Sequence, residues 1–568
     1  MFGFSFLYTP RTSNLTFSAP EAKRIYASDS YIAVDNMIDK YDKDKVFVEN
    51  NHYLIILDGV ILNKNQIIEK YGKKRWVDTL IFLYEGSNTF FDEFRGSFSG
   101  VVYDKHKDRL LVFSDHIGSK FVYYIKKDDS LFVTSMMSQA YDFLRQNSIQ
   151  YTMSSENAFL ILTYGFMLED RTLCDNIKKL RSGCYIEFCN KNFAECRYCM
   201  LDNTPDYSIT ENEAIELIDC EFKRVVALEF EKDREYGYKH LVGLSAGLDS
   251  RMTSWVAHEL GYTQQLNYTF SQSNYWDETI PKKIAEDLKH EWIFKSLDNG
   301  LWLYPVDSVS WITGGNVLYY GLAHSLSFLS KFNFNDYGMI HSGQLGDVVL
   351  GSWFLTKKQE EQYKLGDGAY STKYIDKIQS IKLEKFKNQE IAQFYHRGFC
   401  GTNNGQLCAM NYTETCSPFM DWDFMNAVMK IPVELRFGHN IYKKWIIAKY
   451  PKAADYVWEK IGCKITRKYG LLNIGNRKIN LFNVPSKLIS KLNALNGKYD
   501  KHDMNPIGYY ITTNGELSEF IDSYFKEQIS TIKNNEVKDI LMEIAKSNDS
   551  IEKIQAISLL SANKLFFI

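Results

Sequence analysis

The strongest constraint in the sequence is a strand that runs directly into a small-residue loop and then a helix. His240-Leu241-Val242-Gly243-Leu244 reads as a strand, Ser245-Ala246-Gly247-Leu248-Asp249-Ser250 as the loop, and Asp249 to Leu260 as the helix. Met252, Trp255, Val256 and Leu260 fall on one face of that helix, and Gly261 is placed to stop it. Leu266-Asn267-Tyr268-Thr269-Phe270, Glu291-Trp292-Ile293-Phe294 and Met339-Ile340-His341 read as further strands. A helix from Asp277 to His290 lies between the first two of these, with Pro281 tolerable in its first turns. Such alternation specifies an α/β doubly wound parallel sheet, in which ligands bind where strands end and helices begin.

Small residues let the loop amides converge on an anion, and the helix N-terminus adds partial positive charge. Leu244 to Ser250 is therefore expected to cradle a phosphate group, with Ser245 and Ser250 donating hydroxyl hydrogen bonds. Asp249 would repel a phosphate unless a cation lay between them, so it implies Mg²⁺. Ser342-Gly343-Gln344-Leu345-Gly346-Asp347 is a second acidic loop after a predicted strand. Ser342, Gly343 and Asp347 are expected to close the site, with Asp249 and Asp347 as metal ligands. The plainer alternative is a small-residue turn capped by Asp249 and Ser250. A Walker loop is excluded, because no Gly-Lys-Ser/Thr occurs there.

The chain of 568 residues is long enough for two or three domains. Val-, Phe- and Tyr-rich runs at Tyr53–Leu57, Phe98–Tyr103, Leu110–Phe113, Phe121–Tyr124 and Leu131–Thr134 predict strands in the first part. A helix over Val77 to Tyr84, with Val77, Leu80, Ile81 and Tyr84 on one face, completes an α+β layered domain over 1–205. Asp202-Asn203-Thr204-Pro205-Asp206 reads as a linker. Thr210-Glu211-Asn212-Glu213 is a capping box that opens a second domain over 206–568, mostly helical beyond residue 355.

Lys plus Arg is 67 against Asp plus Glu at 70, which advertises neither nucleic acid nor an anionic membrane. No run reaches the roughly 18 apolar residues of a membrane span. Met1 to Tyr8 lacks a basic region and a cleavage site, so it reads as a buried first strand, and a cytoplasmic protein with reduced cysteines is expected. Cys184, Cys189, Cys196 and Cys199 lack regular zinc spacing and read as a hairpin turning at Asn190-Lys191-Asn192.

Together these segments resemble the asparagine synthetase family. Ser245 to Ser250 looks like the pyrophosphate loop of N-type ATP pyrophosphatases. Ser342 to Asp347 resembles the family's Ser-Gly-Glu-Gly-Ser-Asp segment. Glu414-Thr415-Cys416-Ser417-Pro418-Phe419-Met420-Asp421 is similar to its Glu-x-x-x-Pro-Phe-Leu-Asp segment. Residues from Gly96 to Tyr124 and from Thr172 to Gly183 resemble family stretches of the N-terminal half, which looks like an Ntn-hydrolase-like class II glutamine amidotransferase domain. The resemblance does not place the last 85 or so residues. The resemblance implies that ATP activates a carboxylate as an AMP ester, pyrophosphate leaves, and an amine displaces AMP to form an amide. It also implies a stabilising lysine, for which Lys443, Lys444 and Lys460 are available; Lys460 is preferred.

Four departures qualify the resemblance. The family starts Met-Cys-Gly and this chain starts Met1-Phe2-Gly3, so the nucleophile is gone. The Arg-Gly-Pro-Asp segment that holds the glutamine carboxylate is not recognisable, although Asp58-Gly59 and Asp78 stand in matching stretches. Ala246 replaces the first loop glycine, which requires a negative φ there. Gln344 replaces the Glu beside the reacting carboxyl, so aspartate is not the assured substrate. β-Lactam synthetases, lasso-peptide cyclases and amidating enzymes of polysaccharide clusters are related, and several also lack the cysteine. The expected partners are a small-molecule or peptide carboxylate and either ammonia or an amine of the substrate; the other readings are a different acceptor or a silent scaffold. The bulky Phe2 ring is expected to fill part of the vacated glutamine pocket. Incubation with glutamine, with and without ATP, should yield no glutamate above the uncatalysed level, and Phe2→Cys alone should not restore release. Glutamate formed by the unmodified chain would overturn this.

Overall fold

A computed structural model describes residues 2–354, 362–467, 471–474, 477–480, 501–547 and 549–568. The first part is a sandwich of two antiparallel six-stranded sheets. One sheet contains β1 (Gly3–Tyr8), β2 (Arg24–Ala27), β3 (Tyr31–Asn36), β8 (Tyr123–Lys127), β9 (Ser130–Thr134) and β10 (Lys178–Lys179), in the order β10-β8-β9-β1-β3-β2. The other contains β4 (Val46–Glu49), β5 (Tyr53–Ile61), β6 (Gly96–Asp104), β7 (Arg109–Ser114), β11 (Cys184–Cys189) and β12 (Asn192–Arg197), in the order β12-β11-β7-β6-β5-β4.

The strand period of two sorts the side chains into layers. Phe4 and Phe6 meet Val101, Tyr103 and Val112 between the sheets. Leu7 faces the opposite way, into the cluster that holds Ala140, Phe143 and Leu144 of the helix Met137–Gln146. The helix Trp76–Gly86 covers the outer face of the second sheet through Trp76, Leu80, Leu83 and Tyr84, so its buried stripe is rotated from the expected Val77/Leu80/Ile81/Tyr84. Trp76 sets this rotation: its ring packs on Phe94, and Nε1–H donates to the Asp44 carbonyl at 3.1 Å. β5 passes through Asp58-Gly59, because Gly59 has φ +123° and a Cβ there would lie 2.1 Å from the Ser97 carbonyl oxygen of β6. β8 starts only at Tyr123, because Asp115 binds the backbone N–H groups of Ser119 and Lys120 and holds that stretch as a turn. The cysteine hairpin forms with Asn190 and Lys191 both at positive φ, and the described cysteines of that hairpin form no metal group.

The second part is built on β13 (Lys239–Gly243), β14 (Gln265–Ser271), β15 (Glu291–Ser296), β16 (Tyr337–His341) and β17 (Thr415–Cys416). All pair in parallel, in the order β15-β14-β13-β16-β17. The order reverses between β13 and β16, the position where open sheets of this type bind ligands. The capping box of the helix Glu211–Glu235 is present in both directions between Thr210 and Glu213. The helix Asp249–Glu259 buries Met252, Trp255 and Val256 and ends before Gly261 at φ +92°, while Leu260 is partly exposed.

Among the described residues, the C-terminal end contains the helices Ile507–Thr513, Gly515–Gln528, Asn535–Lys546 and Ser550–Phe566. The last bridges both halves. Phe566 stacks on Tyr141 with ring centres 4.3 Å apart, and Gly315 leaves room for Ala562, which a Cβ would approach to 2.4 Å. The expected linker lies against the second half: Asn203 is buried and its Nδ2 donates to Glu390 at 2.8 Å.

Four buried charges join the halves. Lys120 lies 2.9 Å from Asp58 and 3.1 Å from Glu414, and Lys45 lies 2.9 Å from Glu414 and 3.5 Å from Asp58. Two cations and two anions balance, so each desolvated charge has opposite neighbours. Glu414→Ala leaves two lysines on one carboxylate. Loss of one partner in a buried pair costs about 3–5 kcal/mol. A marked fall in the thermal midpoint is expected from calorimetry, and an unchanged midpoint would contradict a role for this cluster in joining the halves.

Candidate active site

The loop after β13 is pre-shaped by its own polar groups. Ser250 Oγ accepts the Ser245 N–H at 2.9 Å and lies 2.9 Å from Ser245 Oγ, which in turn accepts the Gly247 N–H at 3.2 Å. The Ala246 N–H donates to Asp277 Oδ1 at 2.7 Å, and burial pushes the Asp277 carboxyl up to about 6. Ala246 is fully buried and absent from the positive-φ residues, so its methyl fits without strain. Leu244 and Leu248 are buried beneath the loop. Asp277, at the start of the next helix, was missed as a loop anchor; its one sequence signal is an acid in the first turn after β14.

The second loop packs directly on the first. A Cβ on Gly343 would lie 2.3 Å from the Ser250 nitrogen, and one on Gly346 would lie 2.7 Å from Asp249 Cγ. Ser342 is tied to β17 through its N–H and its hydroxyl, both donating to the Cys416 carbonyl at 2.9 and 3.0 Å. Leu345 holds φ +67°, in the left-handed region. A left-handed non-glycine residue of this kind costs on the order of 1 kcal/mol and must be held by its surroundings; Leu345 is buried in the core of the second half.

This packing brings Asp249 and Asp347 together. The Asp347 N–H donates to Asp249 Oδ2 at 3.1 Å, and the Tyr442 hydroxyl donates to Asp249 Oδ1 at 2.8 Å. Lys460 Nζ lies 3.5 Å from Asp347 Oδ2 and 3.4 Å from His439 Nε2. Lys443 donates to the Gly438 carbonyl and Lys444 pairs with Glu211, so among the three candidates Lys460 is the one at the acids. Burial, then the negative charge of Asp347, pushes Asp249 up to about 8. Tyr442, the Asp347 N–H and Lys460 oppose that shift. Two adjacent carboxylates, one of them poorly ionised at neutral pH, suit a divalent cation that removes their repulsion.

Beyond Gln344 lies a cavity of about 300 Å³, lined by Tyr268, Phe270, His324, Leu329, Gln344 and Gln406 among others. Gln406 Nε2 donates to Gln344 Oε1 at 2.7 Å, and Thr415 Oγ1 donates to Gln406 Oε1 at 2.6 Å, which fixes both amides. Burial pushes His324 down to about 4, so it is neutral at pH 7. No Lys, Arg, Asp or Glu is among the described lining residues.

The N-terminal end differs from expectation. Phe2 is 43% exposed beside Lys23 and fills no pocket. β1 pairs with β3 from Gly3 onward, and the residue before the strand is carried past the end of the sheet. Asp78 is a surface residue paired with Arg75 at 2.6 Å.

Residues 34–199 match the family model of the glutamine amidotransferase domain. None of the curated proteins compared matches the chain. Among solved structures, the chain is similar to the allosteric regulatory enzyme of purine biosynthesis, at 10% identity over 52% of this chain and 74% of that one, with a TM-score of 0.24. Another is glutamine phosphoribosylpyrophosphate amidotransferase from B. subtilis complexed with ADP and GMP, at 11% identity over 51% and 59% of the two chains, with a TM-score of 0.22. A third is NMN synthetase from Francisella tularensis, at 14% identity over 39% and 93%, with a TM-score of 0.19. The chain thus carries an N-terminal domain of glutamine amidotransferase type, followed by a parallel-sheet domain. No described helix is long and apolar enough to cross a membrane.

The raised Asp249 pKa gives a signed expectation. Its neutral form is the one the fold favours, so this contribution to stability is complete below the ordinary carboxylate range and is lost as pH rises through about 8. A cation that replaces the proton restores it. Mg²⁺ should raise the thermal midpoint more at pH 9 than at pH 6, and Asp249→Asn should abolish the difference. An equal rise at both pH values would count against the site.

Proposed function

We propose that this protein is an ATP-dependent, amide-forming ligase that releases AMP and pyrophosphate. The observation that carries this reading is the meeting of Asp249, Asp347 and Lys460 at the strand-order reversal. The β- and γ-phosphates would lie against Ser245, Gly247 and Ser250, at the N-terminus of the helix Asp249–Glu259. Asp249 and Asp347 would hold Mg²⁺, which supplies charge neutralisation on the leaving pyrophosphate. A carboxylate oxygen attacks the α-phosphorus and the bond to the β-phosphate oxygen breaks. An amine then adds to the acyl carbon, AMP leaves with the bonding pair, and the amine proton passes to solvent or a neighbouring base. Lys460, a flexible cation beside Asp347, suits the charge that develops on the α-phosphate and acyl oxygens.

The uncharged cavity beside Gln344 supports a carboxylic acid whose remaining part is neutral and partly apolar. Aspartate would place its own ammonium and second carboxylate there without a charged partner. With Phe2 in place of the nucleophile, the amine is ammonia or a group already on the substrate. Phosphorus NMR of the reaction should show AMP and pyrophosphate in equal amounts. Asp249→Ala and Asp347→Ala should each abolish turnover, and Lys460→Ala should lower kcat by about 10²–10³. ADP and phosphate as products, or full activity in both aspartate variants, would sink the mechanism.

A further inference from the structure

A second cluster lies beneath the second loop, on the strand ends that carry it, and does not rest on the reading above. Glu229 comes from the helix Glu211–Glu235, His341 ends β16 and Cys416 ends β17. His341 Nδ1 is 3.3 Å from Cys416 Sγ and 3.5 Å from Glu229 Oε2. Glu229 and His341 are buried. The other ring nitrogen of His341 is fixed by Asp233, whose Oδ2 lies 2.8 Å from His341 Nε2 and 2.9 Å from His240 Nδ1. Asp233 Oδ1 accepts the Tyr41 hydroxyl at 2.5 Å and the Met339 N–H at 3.1 Å.

Asp233 is therefore saturated by four donors and serves to orient the histidine. With Nε2 held on Asp233, Nδ1 faces a carboxylate and a sulfur. Glu229 finds His341 and the Cys416 thiol as its hydrogen-bonding partners. Ligand atoms of a carboxylate, an imidazole and a thiol converge in a buried space, where either their own protons or a single cation can hold them together.

The geometry points to a zinc site formed by Glu229, His341 and Cys416, with Asp233 as the carboxylate that orients the histidine. A tetrahedral zinc with bonds of about 2.0–2.3 Å sets its N, O and S ligands about 3.4–3.6 Å apart. The observed 3.3 and 3.5 Å need only small adjustment. A carboxylate on the far nitrogen is the usual support of a zinc-bound histidine. The mixed N, S and O set favours zinc over Mg²⁺ or Ca²⁺. Glu229 and Cys416 also line a cavity of about 50 Å³ between the halves, room for water as the fourth ligand.

The competing occupant is a proton on Nδ1, bonded to Glu229. Elemental analysis of the purified full-length chain, after dialysis against metal-free buffer, separates the two. One zinc per chain is expected, lost in Cys416→Ser and His341→Gln and kept in Asp249→Ala, whose acid belongs to the other site. Cobalt added to zinc-stripped wild-type chain should give a thiolate-to-cobalt charge-transfer band and the intense visible bands of a four-coordinate ion. These two readings on wild-type protein decide the matter even if a variant fails to fold. Zinc absent from the purified chain together with no cobalt charge-transfer band would overturn the site and leave a proton-held network.

Discussion

Gly343 and Gly346 let one loop of the parallel sheet lie on another. Each passes so close to Asp249 or Ser250 that a methyl group would collide with it, one with backbone and one with the carboxylate. The approach forces Asp249 against Asp347, and burial together with the charge of Asp347 raises the cost of ionising Asp249. A fold that keeps two acids so close without a cation gives up stability. That cost is consistent with the proposed entry of a cation and a polyanion. Leu345 in a left-handed conformation and the Ala246 N–H anchored on Asp277 belong to the same device, because both fix loop backbone that would otherwise relax.

The halves are built as one body. The four-charge cluster of Lys45, Asp58, Lys120 and Glu414, the Arg95–Asp423 pair at 2.7 Å and the helix Ser550–Phe566 all cross between them. The amidotransferase-type half keeps its layers although Phe2 cannot act as a nucleophile. Its buried side chains form part of the surroundings of the second half.

Much of this was legible in the sequence where a local rule and the tertiary fold agree. The loop after β13, the capping box at Thr210 and the stop at Gly261 each declare themselves within a few residues. Lys460 was reachable only through family resemblance, since nothing local separates it from Lys443 and Lys444. Asp277, Tyr442 and Gln406 act across 31, 193 and 62 residues of chain, and no periodicity reports such distances. The Glu229–His341–Cys416 group was hidden for the same reason: its members sit on a helix and two strands, and each reads singly as a core residue. Phe2 failed differently, because strand pairing from Gly3 decides where the preceding ring goes, whatever the ring would gain by burial.

The central claim is that the paired acidic loops drive the reversible loss of pyrophosphate from ATP in favour of a carboxylate. Exchange of labelled pyrophosphate into ATP tests it most directly, with Mg²⁺ present and no amine added. The account predicts label in ATP when a neutral-bodied carboxylic acid is supplied, much less with aspartate, and none with Asp249→Ala. No exchange with any acid under conditions where amide product forms would contradict the account, as would exchange that survives loss of both Asp249 and Asp347.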